Sequence, residues 1–201
     1  MGMRPIPKNP TVAILGGAGE MGRTAVSIIS QFEQIGELIV ADANEEEAKA
    51  VVSKNLKNSK TRMRAQFVDV TDSQELHSFL SDVTIVLNTV GPFYKYGVDV
   101  LTAAIASGCH YIDICDDWEP TIEMMDLDQD ARLNDVLAII GMGASPGISN
   151  LLACLVCEEL ETVEDLFTVW PVDAGERGDA IEKAVKENKG TSGAIIHWMQ
   201  Q

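Results

Sequence analysis

The chain has 201 residues, 46% of them hydrophobic, enough to bury one generous domain or one and a half. Its 15 basic and 31 acidic residues leave a formal charge of −16, which disfavours nucleic acid and anionic membrane as partners. No apolar stretch is long enough to span a bilayer, and the opening Met-Gly-Met-Arg-Pro lacks the apolar core of a signal peptide, so a cytoplasmic protein is expected.

The first element is an apolar run, Val12, Ile14 and Leu15, of the kind a buried parallel strand shows. It leads directly into Gly17-Ala18-Gly19-Glu20-Met21-Gly22, the spacing of a dinucleotide-binding turn. Gly17 is expected to permit the tight turn, Gly19 to let backbone approach a pyrophosphate, and Gly22 to let the next helix pack close to the strand. The free amides and positive dipole end of that helix would face the phosphates. Met21, Ala25, Ile28, Ile29 and Phe32 recur at helical spacing as its apolar face, with Gly36 as its stop. Leu38 to Ala41 form a second strand, and Asp42 stands where a carboxylate accepts hydrogen bonds from the adenosine ribose. A carboxylate there repels a 2′-phosphate, and no Arg or Lys follows closely, so NAD is expected, with NADP the alternative. The competing readings are a βαβ turn without a ligand and, for Asp42, a helix cap, a role that Asn44 could also fill.

Strands and helices keep alternating. Residues 44–57 read as a helix, Met63 to Val68 as a third strand, and Asp69 near its end as an adenine-side candidate or a turn residue. Thr71 or Asp72 is placed to cap a helix running to Leu80. Val83 to Asn88 form a fourth strand, Gly97 to Ser107 a helix, Cys109 to Ile114 a fifth strand, Thr121 to Leu133 an acidic helix, and Val136 to Ile140 a sixth strand. Gly-Met-Gly-Ala-Ser-Pro-Gly and a helix from about Ile148 to Leu160 follow. This alternation implies an α/β fold, a doubly wound parallel sheet of the NAD(P)-binding Rossmann kind, over residues 1–160. Leu166 to Trp170 read as a strand of a further domain, and residues 194–199 as the first turns of an amphipathic helix carrying His197. Residues 161–201 are therefore expected to begin an incomplete substrate or dimerisation domain, which makes the chain a fragment of a longer protein. The alternative is a C-terminal helix docked on its own domain.

Four cysteines occur, Cys109, Cys115, Cys154 and Cys157. Cys154-x-x-Cys157 lies in an apolar helical run with no second such pair, so buried small side chains are expected rather than zinc or a disulfide. No other metal site is expected either.

Three further segments are more specific than the glycines. They are Asn88-Thr-Val-Gly-Pro-Phe-Tyr-Lys-Tyr-Gly97, Gly108-Cys-His-Tyr-Ile-Asp-Ile-Cys-Asp-Asp117 and Gly143-Ala-Ser-Pro-Gly-Ile-Ser-Asn150. With the closing Ile-Ile-His-Trp segment, they resemble the saccharopine dehydrogenase-like family, which includes saccharopine reductases and dehydrogenases, carboxynorspermidine dehydrogenases and homospermidine synthases. The resemblance implies hydride transfer between a nicotinamide and a carbon bearing nitrogen, on an amino-acid or polyamine adduct. It also implies a second α/β domain that closes over the substrate and often dimerises, so a homodimer through that domain is expected.

Oxidising a secondary amine needs the C–H held at near-attack distance, an amine that loses its proton, and acid–base help for water addition. Ligands in such sheets bind beyond the carboxyl ends of the strands, which selects candidates by loop. Thr89, Gly91 and Pro92 are placed to flank the nicotinamide ribose and pyrophosphate. Tyr94 and Lys95 follow on an exposed loop, where a phenol or ammonium could orient a substrate carboxylate or relay a proton. Asp113, Asp116 and Asp117 crowd the end of the fifth strand; clustered carboxylates raise one another's pKa, suiting Asp116 and Asp117 to catalysis and Asp113 to substrate binding. Helix capping and a solvated loop are the alternatives. Ser145, Pro146 and Gly147 open a helix whose amides could hold a substrate carboxylate. His110 reads as a packed strand residue. The expectation is an NAD(P)-dependent oxidoreductase on a small amino-acid or polyamine substrate. The rival is a non-catalytic NAD(P)-binding Rossmann module or sensor.

Overall fold

Apolar residues on successive strand positions face opposite ways, and here both faces are covered. In the computed structural model, which describes residues 4–168, Val12, Ile14, Leu38 and Val40 pack on one face with Val26, Ala48, Val51 and Val52. Ala13, Leu15, Ile39 and Ala41 pack on the other with Leu76, Leu80, Val100 and Leu101. Such two-sided burial explains why these strands read as continuous apolar runs. Each fully buried Ile or Leu contributes roughly 2 kcal/mol.

Six parallel strands carry this core: β1 (Thr11–Leu15), β2 (Glu37–Asp42), β3 (Arg62–Phe67), β4 (Ile85–Asn88), β5 (His110–Asp113) and β6 (Ala138–Ile139). Their spatial order is β3-β2-β1-β4-β5-β6, so the winding reverses between β1 and β4. Helices α1 (Glu20–Ile29) and α2 (Glu45–Asn55) supply one layer, α3 (Ser73–Ser81) and α4 (Phe93–Ala106) the other, with α5 (Trp118–Met125) and α6 (Asp128–Leu133) continuing it. The register places Leu15 level with Ala41 on one side and Asn88 on the other, and Asn88 level with Asp113. The carboxyl ends of four strands therefore share one line, and the loops after them gather along one edge. This is the doubly wound Rossmann fold expected from the sequence.

Several boundaries differ from the pattern-based ones, for physical reasons. The apolar face of α1 is Gly22, Ala25, Val26 and Ile29; Met21 and Ile28 are exposed, as is Phe32 beyond the helix. The helix ends at Ser30, not Gly36, whose amide instead donates to Pro10 O. Helix α4 begins at Phe93, four residues before Gly97. Gly97 marks a close approach within the helix: a Cβ there would lie 3.3 Å from Phe93 and 3.6 Å from Met124. The acidic helix is two helices, α5 starting at Trp118 because the missing amide of Pro120 falls in its first turn. Asn44 and Asp72 cap α2 and α3 through their side chains. His110 packs in its strand: its Nδ1 accepts from Leu137 N–H at 3.0 Å, and its Nε2 lies 3.1 Å from Arg4 O.

The chain divides into two compact units, Met1–Gly143 and Ala144–Gln201. The second unit holds a π-helical turn (Ala144–Ile148) and α7 (Ser149–Glu158). Cys154 on α7 is exposed and Cys157 half-buried, so the expected burial of this pair does not occur; all four cysteines are free. Leu166–Thr168 are not in a strand, and the rest of that expected strand and the helix around His197 lie outside the described residues. No helix among the described residues is long and apolar enough to cross a membrane.

Candidate functional site

At the winding reversal, the loop from β1 into α1 is built on four glycines. The left-handed residue of the turn is Gly16, at φ +72°, rather than Gly17. A Cβ on Gly16 would also press on Thr89 from 3.1 Å. Gly17 is required for a different reason: its Cβ would lie 2.6 Å from the Val40 side chain on β2. Gly22 seats α1 against the turn, since a Cβ there would fall 2.1 Å from Gly16 O. Gly19 is the N-cap of α1, and its amide donates back to Gly16 O at 2.9 Å. Apart from that carbonyl at 3.2 Å, nothing lies within 4 Å of a Cβ built on Gly19, so backbone there faces open space. Glu20, Met21 and Gly22 form the first turn of α1, where amides have no acceptor within the helix. The Met21 side chain is exposed, not part of the core.

The side chain of Asp42, at the end of β2, folds over this turn. Its Oδ2 accepts Ala18 N–H at 3.0 Å and its Oδ1 accepts Asn44 N–H at 2.9 Å. Asn44, not Asp42, is the cap of α2. Sequence reading missed a cation here. Arg23, on α1, donates from Nε to Ala18 O at 2.6 Å and from an Nη to Glu47 at 2.6 Å. A search for basic residues after β2 could not find it, because it lies on α1. Asp69, after β3, accepts Thr71 N–H at 2.9 Å and Thr71 O–H at 2.7 Å, and these bonds hold its carboxyl below the usual range. That is the geometry of a turn residue.

On the other flank, Thr89 N–H and O–H both donate to Leu15 O, at 3.0 and 2.7 Å. Thr89 thereby ties the loop after β4 to the glycine turn. A Cβ on Gly91 would meet nothing within 4 Å, and Pro92 is the N-cap of α4. Tyr94 and Lys95 sit in the first turn of α4 rather than on a loop. Tyr94 is 60% exposed. Lys95 Nζ lies 4.8 Å from the Tyr96 ring centre, and its hydrogen bond with Tyr96 raises its pKa, so it is a fixed cation at neutral pH.

The acids after β5 separate by environment. Asp113 is fully buried. Its Oδ1 accepts Gly141 N–H at 2.7 Å and Cys115 N–H at 3.0 Å, and its Oδ2 accepts Tyr111 O–H at 2.9 Å. Asn88 donates to the same Tyr111 oxygen at 3.1 Å and accepts Val90 N–H at 3.0 Å. The network therefore links the loops after β4, β5 and β6. Burial, not a neighbouring carboxylate, raises the Asp113 pKa, and the three donors partly offset it. The Asp113 oxygens thus accept from two backbone amides and the Tyr111 hydroxyl, and its shift is one of desolvation rather than of clustered carboxylates. Burial also lifts the Cys115 thiol to about 11 and Cys109 to about 12, so neither is a thiolate nucleophile. Asp116 is exposed, whereas Asp117 is buried at the N-cap of α5 without making the capping bond.

Ser145, Pro146 and Gly147 belong to the second unit. Ser145 is extended, and Ser149 O–H donates to Pro146 O at 3.2 Å. Among the described residues no three His, Cys, Asp or Glu side chains are grouped to hold a metal. A cavity of about 700 Å³ under α4, α5 and α6 is lined by residues such as Leu101, Met124 and Leu137. None of the candidates borders it.

Comparison with known proteins bears on this arrangement. The sequence pattern of the family described as Saccharopine dehydrogenase NADP binding domain matches residues 12–139. The chain belongs to this family. A Caenorhabditis elegans protein named Lipid droplet localized protein is 31% identical over 108 residues, which are 51% of this chain and 25% of that protein. The structure resembles apo saccharopine dehydrogenase (L-Glu forming) from Saccharomyces cerevisiae at a TM-score of 0.59 and 20% identity, over 75% of this chain and 31% of that one. It also resembles the bulky-bulky ketone specific alcohol dehydrogenase from Comamonas testosteroni at a TM-score of 0.50 and 14% identity, over 90% and 94% of the two chains. At those identities the structural likeness speaks for the fold alone. The matched segments span 25% and 31% of the first two proteins, so this chain covers under a third of their length.

Family membership and geometry agree on a nicotinamide-dinucleotide domain of oxidoreductase type. The residues present fit such a group: open space over Gly19, first-turn amides of α1, and a carboxylate at the end of β2 all meet at the switch point. The Gly16 conformation and the Thr89 brace were not read from the sequence. A signal for the first existed in the doubled Gly16-Gly17; for the second there was none, because the contact joins residues far apart in the chain.

Proposed function

We propose that this chain is the cofactor-binding part of an NAD(P)-dependent oxidoreductase of saccharopine dehydrogenase type, acting in the cytoplasm at a C–N bond of an amino-acid or polyamine adduct. The observation that carries the proposal is the pairing of the Gly16–Gly22 turn with Asp42 on one side and Thr89 on the other. Bound there, a nicotinamide would supply hydride chemistry. The chain's own residues would hold it: first-turn amides of α1 on the pyrophosphate, Asp42 on the adenosine ribose, and Thr89, Gly91 and Pro92 along the nicotinamide side. Lys95, a fixed cation on the first turn of α4, suits a substrate carboxylate better than proton acceptance. Asp116 and Asp117, after β5, are the acids that would serve in proton transfer. A substrate domain of the kind the family resemblance implies would complete the site and form a homodimer.

The family description names NADP. Asp42 supports NAD as the tighter ligand, because its carboxylate accepts from a 2′-OH and repels a 2′-phosphate. Fluorescence titration should show NADH binding more tightly than NADPH, and Asp42→Ala should close most of that gap by weakening NADH about tenfold. Equal affinities in the unaltered chain would remove the NAD preference. For the reaction, the assay is amine-dependent NADH formation by the protein of complete reading frame, with saccharopine or a polyamine adduct. Tight binding with no turnover on any such amine would instead make the chain a binding module.

A further inference from the structure

Resting on the dinucleotide reading above, a second charged group at the adenosine corner has a role that reading does not use. Asp42 and Arg23 grip the same residue from two sides: the carboxylate takes the Ala18 amide, and the guanidinium takes the Ala18 carbonyl. Wherever the ribose meets Asp42, a cation is therefore anchored on the same residue, Ala18. Arg23 is half exposed, at 52%. A guanidinium has five N–H donors. Among the described residues two are engaged, one by Ala18 O and one by Glu47. The remaining donors can take phosphate oxygens without breaking either contact, in the forked geometry that suits guanidinium to phosphate.

The surrounding acids sort by partner. Glu45 and Glu46 both pair with Lys49, at 3.4 and 2.9 Å. Glu47 pairs with Arg23 at 2.6 Å. Glu47 is thus the acid that competes directly with an incoming phosphate for this cation, while Asp42 opposes the phosphate from the ribose side.

We propose that Arg23 is the specificity-determining residue through which this site accepts a 2′-phosphate, and so NADP as well as NAD, with Glu47 as its restraint. The chain then binds both dinucleotides, the balance set by Asp42 against Arg23. This accounts for a carboxylate at the end of β2 in a family described by NADP.

The test is titration of the full 201-residue chain with NADH, NADPH and adenosine 2′,5′-bisphosphate. Arg23→Gln should weaken NADPH and the bisphosphate about tenfold while leaving NADH within about twofold. Glu47→Gln should tighten NADPH several-fold, and Arg23→Lys should restore part of what Arg23→Gln loses. Thermal unfolding of each variant checks that the β1–α1 turn is intact. If Arg23→Gln weakens NADH and NADPH equally, Arg23 only props the glycine turn through Ala18, and the proposal falls while the dinucleotide reading stands. If the unaltered chain binds neither dinucleotide, the dinucleotide reading itself fails and takes this one with it.

Discussion

On the β1–β3 side of the sheet, the polar groups at the carboxyl edge face outward. Asp42 reaches over the glycine turn, Arg23 is half exposed, and the first-turn amides of α1 have no helical acceptor. On the β4–β6 side the polar groups turn inward. Asn88, Tyr111 and Asp113 are buried and bonded to one another and to backbone amides of three loops. Both sides carry polar residues on the same line of strand ends, yet one side displays them and the other uses them up. The difference teaches that an acid at a strand end is not by that fact a ligand contact. Each Asp42 oxygen accepts one backbone amide on a half-buried side chain, whereas Asp113 is fully buried and accepts three donors. The polar network on the β4–β6 side holds its loops in place.

The comparison is broken most severely at Gly22, where fold and site share one contact. An added Cβ would fall 2.1 Å from Gly16 O and 2.7 Å from Gly17 Cα, both backbone atoms that cannot yield like a side chain. Gly22→Ala should cost about 3 kcal/mol or more in urea unfolding and abolish dinucleotide binding. Gly19→Ala, whose Cβ meets only one atom, should leave stability within about 1 kcal/mol while weakening binding strongly. Equal stability losses in the two variants would mean that the turn is not divided into a packing glycine and a ligand glycine.

A smaller effect should follow at Asp113. Asp113→Ala leaves Gly141 N–H, Cys115 N–H and Tyr111 O–H without their acceptor in a buried place, at a cost of about 2–4 kcal/mol. Asp113→Asn keeps one acceptor oxygen and should cost less. The pH dependence separates the two halves further. Burial raises the folded-state pKa of Asp113, so the folded protein binds this proton more tightly than the unfolded chain. Its contribution is fully present below the ordinary aspartate pKa and is lost as pH rises through the raised folded value. Asp69, held low by Thr71, has the opposite sign: its contribution is present above the ordinary value and lost as pH falls. Unfolding midpoints across the acid range should show that Asp113→Asn removes a decline with rising pH. An unchanged profile would show that Asp113 is ionised as easily in the fold as outside it.

These two regions also differ in how much the sequence revealed. The alternation of strands and helices, the buried parallel strands and the glycine turn were legible because apolar period and glycine spacing are local signals. Asn44 and Asp72 were legible as caps for the same reason. Gly97 misled because a glycine inside a helix, placed for Met124, looks like a helix start. The Asp113 cluster misled because three acids close in sequence suggest mutual repulsion, while the fold buries Asp113 and leaves Asp116 outside. The Arg23 bridge to Glu47 and the Thr89 brace to Leu15 were missed because those partners are distant in sequence. Pairings of that kind follow from the sheet order, not from any pattern along the chain.

The smallest predicted effect tests the seam between the two halves. Thr89 N–H and O–H donate to Leu15 O, and its O–H also lies 3.2 Å from Gly16 O. Its hydroxyl is the side-chain link from the loop after β4 to the left-handed glycine. Thr89→Ala keeps the backbone bond and removes the hydroxyl, so it should cost about 1 kcal/mol of stability. If the seam sets the height of the turn under a dinucleotide, the same variant should weaken NADH and NADPH by one common factor of a few-fold. Thr89→Ser restores the donor and should recover most of both losses. A change confined to one dinucleotide would instead tie Thr89 to the 2′ position, proposed above for Asp42 and Arg23. The common factor is expected because the hydroxyl acts on backbone that both ligands would share, while Asp42 and Arg23 act on the one atom group by which the ligands differ.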